Sequence, residues 1–256
     1  MTALLLENVV AGYGDKKVLR GISFEIKIGE FVGVVGPNGC GKTTLLRAIA
    51  GLIPTVEGRI IVTNHDLLTL SRREIAQKIA YVPQLSEPVE GFTVTDLVML
   101  GRTPYLERFS FEEEEDFQVV KKALAELKIE NLAQTPVAEL SGGEFQRVMI
   151  AKALAQEPRV IMLDEPISHL DIRYQVRIMK LLYRFRALKT ILSTFHDLNL
   201  AARFCQKLIL MKKGEIIAYG RPDEILTAEN IWKAYNIKAE VKKNPRKKHA
   251  RLVFLP

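Results

Sequence analysis

The chain has 256 residues, 48% of them hydrophobic, which suffices for one sizeable core with room for an inserted subdomain. No apolar stretch approaches the roughly 18–20 uncharged residues of a membrane span, and the start MTALLLENVV lacks the basic flank of a signal peptide. The net charge of +7 fits plain solubility, an acidic ligand such as a nucleotide, or anionic lipid head groups. No zinc spacing or aromatic RNA-binding signature supports a nucleic-acid partner, and none is expected. Cys40 and Cys205 form no paired framework, so a reducing, cytoplasmic setting is expected.

In chain order, LLLENVVAGY, GISFEIKIG and GRIIVTN read as short, partly alternating strands punctuated by glycine. The apolar run FVGVVG (31–36) then meets a glycine-rich turn and a helical pattern, KTTLLRAIAGL. From Val94 to Gln156 the pattern is helical, with no convincing strand. There SFEEEEDFQVVKKALAELKI opens on a capping-box pair, Ser110 and Glu113, with glutamates where the helix dipole favours them. Phe117, Val120, Leu124 and Leu127 are expected on one face of that helix. Further on, AELSGGEFQR (138–147) repeats the capping-box pattern with Ser141 and Glu144. Its adjacent glycines, Gly142 and Gly143, add close backbone approach, so this is a candidate anion-binding helix start.

Two later runs, RVIMLDEP (159–166) and TILSTFHD (190–197), are short, aliphatic or β-branched, and flanked by helical patterns. Such runs predict a parallel sheet covered on both faces. KLILMKKGEIIAYG (207–220) predicts a hairpin turning at Lys213-Gly214. The basic end VKKNPRKKHARLVFLP (241–256) carries a turn signal at Asn244-Pro245. A hairpin with charged tips and a disordered or lipid-touching tail are both compatible with it.

The strongest chemical signal is GPNGCGKTT (36–44), which fits G-x-x-x-x-G-K-[ST] with Gly36, Gly41, Lys42 and Thr43 in place. Glycines let successive backbone N–H groups point into one concavity. The following helix adds its positive end. Lys42 can neutralise β- and γ-phosphate charge, and the Thr43 hydroxyl is placed for Mg²⁺. Asp164, ending a buried strand, suits Mg²⁺ or its water shell. Glu165, next in the chain, is a second carboxylate that can act as general base toward water. Its plain structural reading is a helix-start acid. Mg²⁺-nucleotide binding and hydrolysis is the working class.

Together these motifs resemble the ATP-binding subunit of ABC transporters over roughly residues 3–235. LSGGEFQRV (140–148) looks like that family's signature and lies between the two nucleotide motifs, in family order. Tyr13 in AGYGDKKVL matches the aromatic that stacks on adenine. Gln84 in YVPQ matches the Q-loop glutamine, near Mg²⁺. SHLD (168–171) matches the D-loop with Asp171, and His196 in STFHD matches the switch histidine. Taken singly, Tyr13, Gln84 and His196 each have an ordinary packing or surface reading. Two departures are small: Cys40 stands where serine or alanine is common and adds possible oxidation sensitivity. Ile167 replaces a usual threonine or serine, with only a packing consequence expected.

The resemblance implies an α/β fold: a P-loop NTPase (RecA-like) core with an N-terminal antiparallel β subdomain and an inserted α-helical subdomain. The expected division is an ATPase domain over 1–236, with 1–90 and 157–236 forming core and β subdomain. The helical part spans about 91–156, and 237–256 forms a basic tail or hairpin. It implies ATP and Mg²⁺ as cofactors, with Pro37, Asn38, Gly39, Cys40 and Thr44 completing the phosphate loop. Ser141, Gly142, Gly143 and Asp171 act across a dimer of two ATPase subunits. FTVTDLVMLGRTPYLERF and HDLNLAARFCQKLILMKKGEIIAYGRP look like importers for iron chelates, haem or cobalamin. Expected partners are multi-span permease subunits and, indirectly, a substrate-binding protein. The chain would then sit on the cytoplasmic face of the membrane, peripherally. A non-transport ABC ATPase, such as an iron–sulphur assembly or lipoprotein-release partner, is the alternative.

Overall fold

Alternation of buried and exposed residues builds the first sheet. The computed structural model describes residues 1–84, 90–107, 111–168, 170–243 and 250–254. Strands β1 (Thr2–Tyr13) and β2 (Lys16–Lys27) pair antiparallel, and β2 buries Leu19, Ile22, Phe24 and Ile26. Then come β3 (Phe31–Val35), α1 (Lys42–Ile49), β4 (Thr55–Val62) and β5 (His65–Asp66). The order β2-β1-β4-β5 makes a four-stranded antiparallel sheet, as expected from the glycine-punctuated start. Helix α2 (Arg72–Lys78) and strand β6 (Ile79–Val82) follow, and the sequence reading had not singled out that strand.

Helices α3 (Val94–Met99), α4 (Glu114–Leu127) and α5 (Gly142–Ala155) come next, and no strand lies among the described residues between Val94 and Gln156. The chain returns through β7 (Val160–Leu163), α6 (Ile172–Phe185), β8 (Thr190–Phe195), α7 (Leu198–Phe204), β9 (Lys207–Lys212) and β10 (Glu215–Gly220). The β9–β10 turn is Lys213-Gly214, with φ of 49° and 84°, the backbone a two-residue hairpin turn requires. Helices α8 (Pro222–Ile225) and α9 (Ala228–Tyr235) precede a hairpin of β11 (Ala239–Lys243) and β12 (Ala250–Phe254). Asn199 of α7 clamps that hairpin: its Nδ2 donates to the Leu252 carbonyl and its Oδ1 accepts from the Leu252 N–H. The expected turn at Asn244-Pro245 lies outside the described residues.

The second sheet runs β10-β9-β3-β8-β7-β6. All its pairs are parallel except the β10 edge. Strands β3, β7 and β8 are buried at every position because both faces are covered. Successive side chains enter different cores. Phe31 and Val35 pack with the helices, and Val32 and Val34 pack with α1 and the antiparallel sheet.

One expectation needs correction in the helical region. Phe117 is 47% exposed, and the buried stripe of α4 is Asp116, Val120, Ala123, Leu124 and Leu127. The helix is rotated because Asp116, 6% exposed, pairs with Arg102, 4% exposed, at 2.7 Å. Arg102 also donates to the Ala155 carbonyl and to Glu157, and stands over the Tyr105 ring. A buried guanidinium must have its donors satisfied, and that requirement overrides the gain from burying one more ring. The helix start is capped by Glu113 and Asp116; the expected pair from Ser110 lies outside the described residues.

Candidate nucleotide site

The phosphate-loop strand β3 sits in the middle of the parallel sheet, and the expected site residues come from the carboxyl ends of its strands. The loop follows β3, Gln84 follows β6, Asp164 and Glu165 follow β7, and His196 follows β8. In an open α/β sheet this edge is where ligands bind. A cavity of about 320 Å³ opens there, lined by Asn38, Lys42, Thr43, Gln84, Glu165 and His196 among others.

The loop admits no side chain at its first glycine. A Cβ on Gly36, whose φ is 154°, would stand 2.3 Å from the Met211 carbonyl oxygen and 2.7 Å from Cys40 Sγ. Helix α1 begins at Gly41 with no side-chain cap and no acid in its first turn, so its first N–H groups remain for a ligand. The Lys42 ammonium donates to the carbonyls of Gly36 (2.9 Å) and Pro37 (3.4 Å), which holds it across the loop mouth. Behind the loop, the N–H of Gly214 in the β9–β10 turn donates to the Cys40 carbonyl at 2.9 Å. Burial pushes the Cys40 thiol up, against the smaller opposing pull of Lys42. Its environment does not favour the reactive thiolate, which weakens the expected oxidation sensitivity.

Glu165 adopts φ of 52°, a left-handed conformation uncommon for a side-chain-bearing residue and frequent where a site constrains the backbone. Its N–H donates to Thr194 Oγ1 at 2.8 Å. Its carboxylate accepts from Gln84 Nε2 at 2.6 Å and lies 2.5 Å from His196 Nε2. Three expected residues from three strands therefore meet on one cavity wall. Helix α6 starts seven residues later, capped by Asp171, so Glu165 is not a helix-start acid. Asp164 is 1% exposed and lies behind the wall. Its Oδ1 accepts from Thr194 Oγ1 (2.7 Å) and its Oδ2 from the Tyr81 hydroxyl (3.3 Å). Tyr13 exposes 43% of its surface, and its hydroxyl accepts from Arg47 at 3.2 Å.

Sequence reasoning missed Thr194, Tyr81 and Arg47. A hydroxyl inside the apolar run TILSTF, and a tyrosine three residues before Gln84, were the available signals. The residues expected to hold Mg²⁺ suit it chemically. Thr43, Gln84 and Asp164 offer only oxygen donors, since the Gln84 amide nitrogen is already engaged with Glu165. Among the described residues no group of three or more His, Cys, Asp or Glu forms a metal cage. Mg²⁺ needs none, because it is usually held by one or two carboxylates and the phosphates of its substrate.

Ser141, Gly142, Gly143 and Asp171 line none of that cavity. Ser141 caps α5 as expected: its N–H and hydroxyl both donate to Glu144 Oε2, at 3.0 and 2.6 Å. The N–H of Glu144 in turn donates to Ser141 Oγ. These bonds from Ser141, the hydroxyl first, hold the Glu144 carboxyl below its ordinary range. A larger cleft of about 540 Å³ lies between α4, α5 and α6 beside Gly143, but it contains no phosphate-loop residue. The donor chemistry, not the volume, identifies the nucleotide site.

Comparison with known proteins agrees with this geometry. Residues 19–168 match the ABC transporter family model. A probable siderophore transport system ATP-binding protein of Bacillus subtilis (strain 168) is 37% identical over 96% of this chain and 90% of its own length. A metal-chelate type ABC transporter in an inward-facing conformation superposes with a TM-score of 0.87 at 29% identity, covering 100% of this chain and 98% of that one. An ATP-binding cassette dimer in a post-hydrolysis state, bound to ADP and Pi, superposes with a TM-score of 0.73 at 31% identity, covering 86% and 98%. A phosphate loop facing a Gln–Glu–His cluster, a separate self-capped signature helix and these likenesses lead to one conclusion: the chain belongs to the ABC transporter family, as an ATP-binding, ATP-hydrolysing subunit.

Proposed function

We propose that this subunit powers an importer for an iron chelate, haem or cobalamin. The likeness to a probable siderophore transport protein and to a metal-chelate type transporter supports that substrate class. They do not favour a non-transport ATPase. The observation that carries the mechanism is the meeting of Gln84, Glu165 and His196 on the wall of the phosphate-loop cavity.

In this reading Tyr13 stacks on adenine. The backbone of Gly36, Pro37, Asn38, Gly39, Cys40 and Gly41, with Lys42, Thr43 and Thr44, holds the phosphates. Thr43, Gln84 and Asp164 hold Mg²⁺, which when bound neutralises charge on the β- and γ-phosphates. Glu165 is the general base for the attacking water. Gln84 and His196 both engage its carboxylate in this state. When His196 turns to the γ-phosphate, one carboxylate oxygen is released to face the attacking water. Ser141, Gly142, Gly143 and Asp171 complete the nucleotide site of a second copy or of a paralogue.

The described residues contain no helix long and apolar enough to cross a membrane. In this reading the subunit lies at the cytoplasmic face, held there by permease subunits that touch the helical segment 91–156 near Gln84. A secreted binding protein would act through the permease.

The test is Glu165→Gln, which keeps size and removes the base. Nucleotide binding should persist, an ATP-bound dimer should accumulate in size-exclusion chromatography, and turnover should fall about 10²–10⁴-fold. Hydrolysis at the unaltered rate would remove Glu165 from this role. Co-purification with a multi-span permease, and ATPase stimulation by its loaded binding protein, tests the transport assignment.

A further inference from the structure

We propose that Gly214, in the β9–β10 turn, is a positioning residue that sets the distance between the phosphate loop and the wall on which the nucleoside rests. The inference rests on the ATPase reading above and concerns a residue that lines no part of the nucleotide cavity. The Gly214 N–H donates to the Cys40 carbonyl of the loop at 2.9 Å. Its own carbonyl accepts from the N–H of Arg20 on β2, also at 2.9 Å. A single residue is thus bonded to the loop on one side and to β2 on the other.

Nothing larger than glycine fits between them. A Cβ on Gly214 would stand 1.8 Å from the Val18 carbonyl oxygen and 3.0 Å from the Val18 carbonyl carbon. These are backbone atoms of a paired strand, so relief comes only by moving the strand or the turn. The φ of 84° lies in the left-handed region that glycine adopts without cost. Val18 itself lines the nucleotide cavity. Strand β2 pairs with the end of β1 that carries Tyr13, with Tyr13 opposite Lys16 and Ala11 opposite Leu19. The strand against which Gly214 packs is therefore the one that joins the adenine platform to the loop.

The loop keeps its own shape by other bonds. Lys42 Nζ donates to the carbonyls of Gly36 and Pro37, and the Cys40 N–H donates to the Pro37 carbonyl at 3.2 Å. The turn bonds the loop from outside, so it fixes where the loop stands rather than how it is folded. A ligand that reaches both ends gains from a fixed spacing, because its second contact becomes intramolecular, and it loses that gain when the geometry forbids both contacts at once. A ligand that occupies the loop alone gains nothing from the spacing.

The test uses the full chain and isothermal titration calorimetry in Mg²⁺ with two probes. ADP spans both ends, and pyrophosphate reaches only the loop. Gly214→Ala should weaken ADP binding at least about tenfold and change pyrophosphate binding by less than about twofold. Gly21→Ala is the control, because Gly21 has φ of 71° and a Cβ there meets nothing within 4 Å. It carries the same backbone strain without the wedge, so it should lower the melting temperature and leave both affinities unchanged. Should Gly214→Ala fail to fold, one glycine inserted between Lys213 and Gly214, which lengthens the turn, should show the same selective loss.

A folded Gly214→Ala protein with unaltered ADP affinity overturns the proposal. Equal loss of ADP and pyrophosphate overturns it too, since the turn then shapes the loop itself. If the unaltered chain binds ADP no more tightly than pyrophosphate, the nucleotide reading falls instead, and that measurement on the unaltered chain keeps the two failures apart.

Discussion

Helix α1 starts at Gly41 with no side-chain cap and no acid in its first turn, whereas helix α5 starts at Ser141 with Glu144 folded back onto it. Both are glycine-rich helix starts, and by sequence both are candidates for an anion. Their chemistry diverges after folding. The first leaves its donors open and brings Lys42 across the mouth of the loop. The second has bonded its serine to its own carboxylate, which repels a phosphate. An open helix start can hold a nucleotide alone. A self-capped one would gain an anion only when a partner presents it, which is the role proposed above for α5.

The sharpest way to break this comparison is Lys42→Ala. Removing the one charge that the open end supplies should lower hydrolysis by at least about 10²–10³-fold. A dilute single subunit should lose binding of a fluorescent nucleotide, while Ser141→Arg should leave that binding intact and abolish the ATP-dependent dimer. Equal loss of single-subunit binding in both would erase the distinction between the two starts.

A smaller effect separates the two signature glycines. A Cβ on Gly143 would fall 3.0–3.4 Å from atoms of the Tyr174 ring, whereas one on Gly142 meets only Leu170 at 3.9 Å. Gly143→Ala must move the tyrosine beside the Asp171 cap, and Gly142→Ala need move nothing within its own chain. ATP-dependent dimerisation, followed by light scattering, should weaken about tenfold more for Gly143→Ala, a difference of about 1.4 kcal/mol.

The smallest expected effect is on the cap itself. Glu144→Gln should cost about 0.5–1 kcal/mol of stability. The Glu144 carboxyl is held below its ordinary value of 4.5, so its contribution is complete above that value and is lost as pH falls through the lowered one. Thermal melts from about pH 6 down to about pH 3 should therefore be flatter for Glu144→Gln than for the unaltered chain. Helix α1, with no acid in its first turn, has no corresponding loss.

Local chemistry was readable before the structure. The phosphate loop, the β9–β10 turn at Lys213-Gly214 and the Ser141–Glu144 cap each depend on neighbours within a few residues. Contacts across the sheet were not. Tyr81 meets Asp164 only because β6 lies beside β7, and Thr194 reaches both Asp164 and Glu165 only because β8 flanks β7 on the other side. Strand order is a property of the whole chain, and no local pattern encodes it. The misplaced face of α4 has a similar origin. Spacing alone chose Phe117, but Arg102 from an earlier turn recruits Asp116 into the interior.

The place of β3 in the sheet has a consequence for how the molecule is made. Its two neighbours, β8 and β9, are both encoded more than a hundred residues later, and so is Gly214, which bonds the loop from behind. At about 5–20 residues per second, synthesis from Lys42 to Gly214 takes on the order of ten to thirty seconds. Through that interval a wholly apolar strand has emerged from the ribosome without its partners. The most recognisable motif in the chain thus has all its neighbours only after β8, β9 and the Gly214 turn have been made.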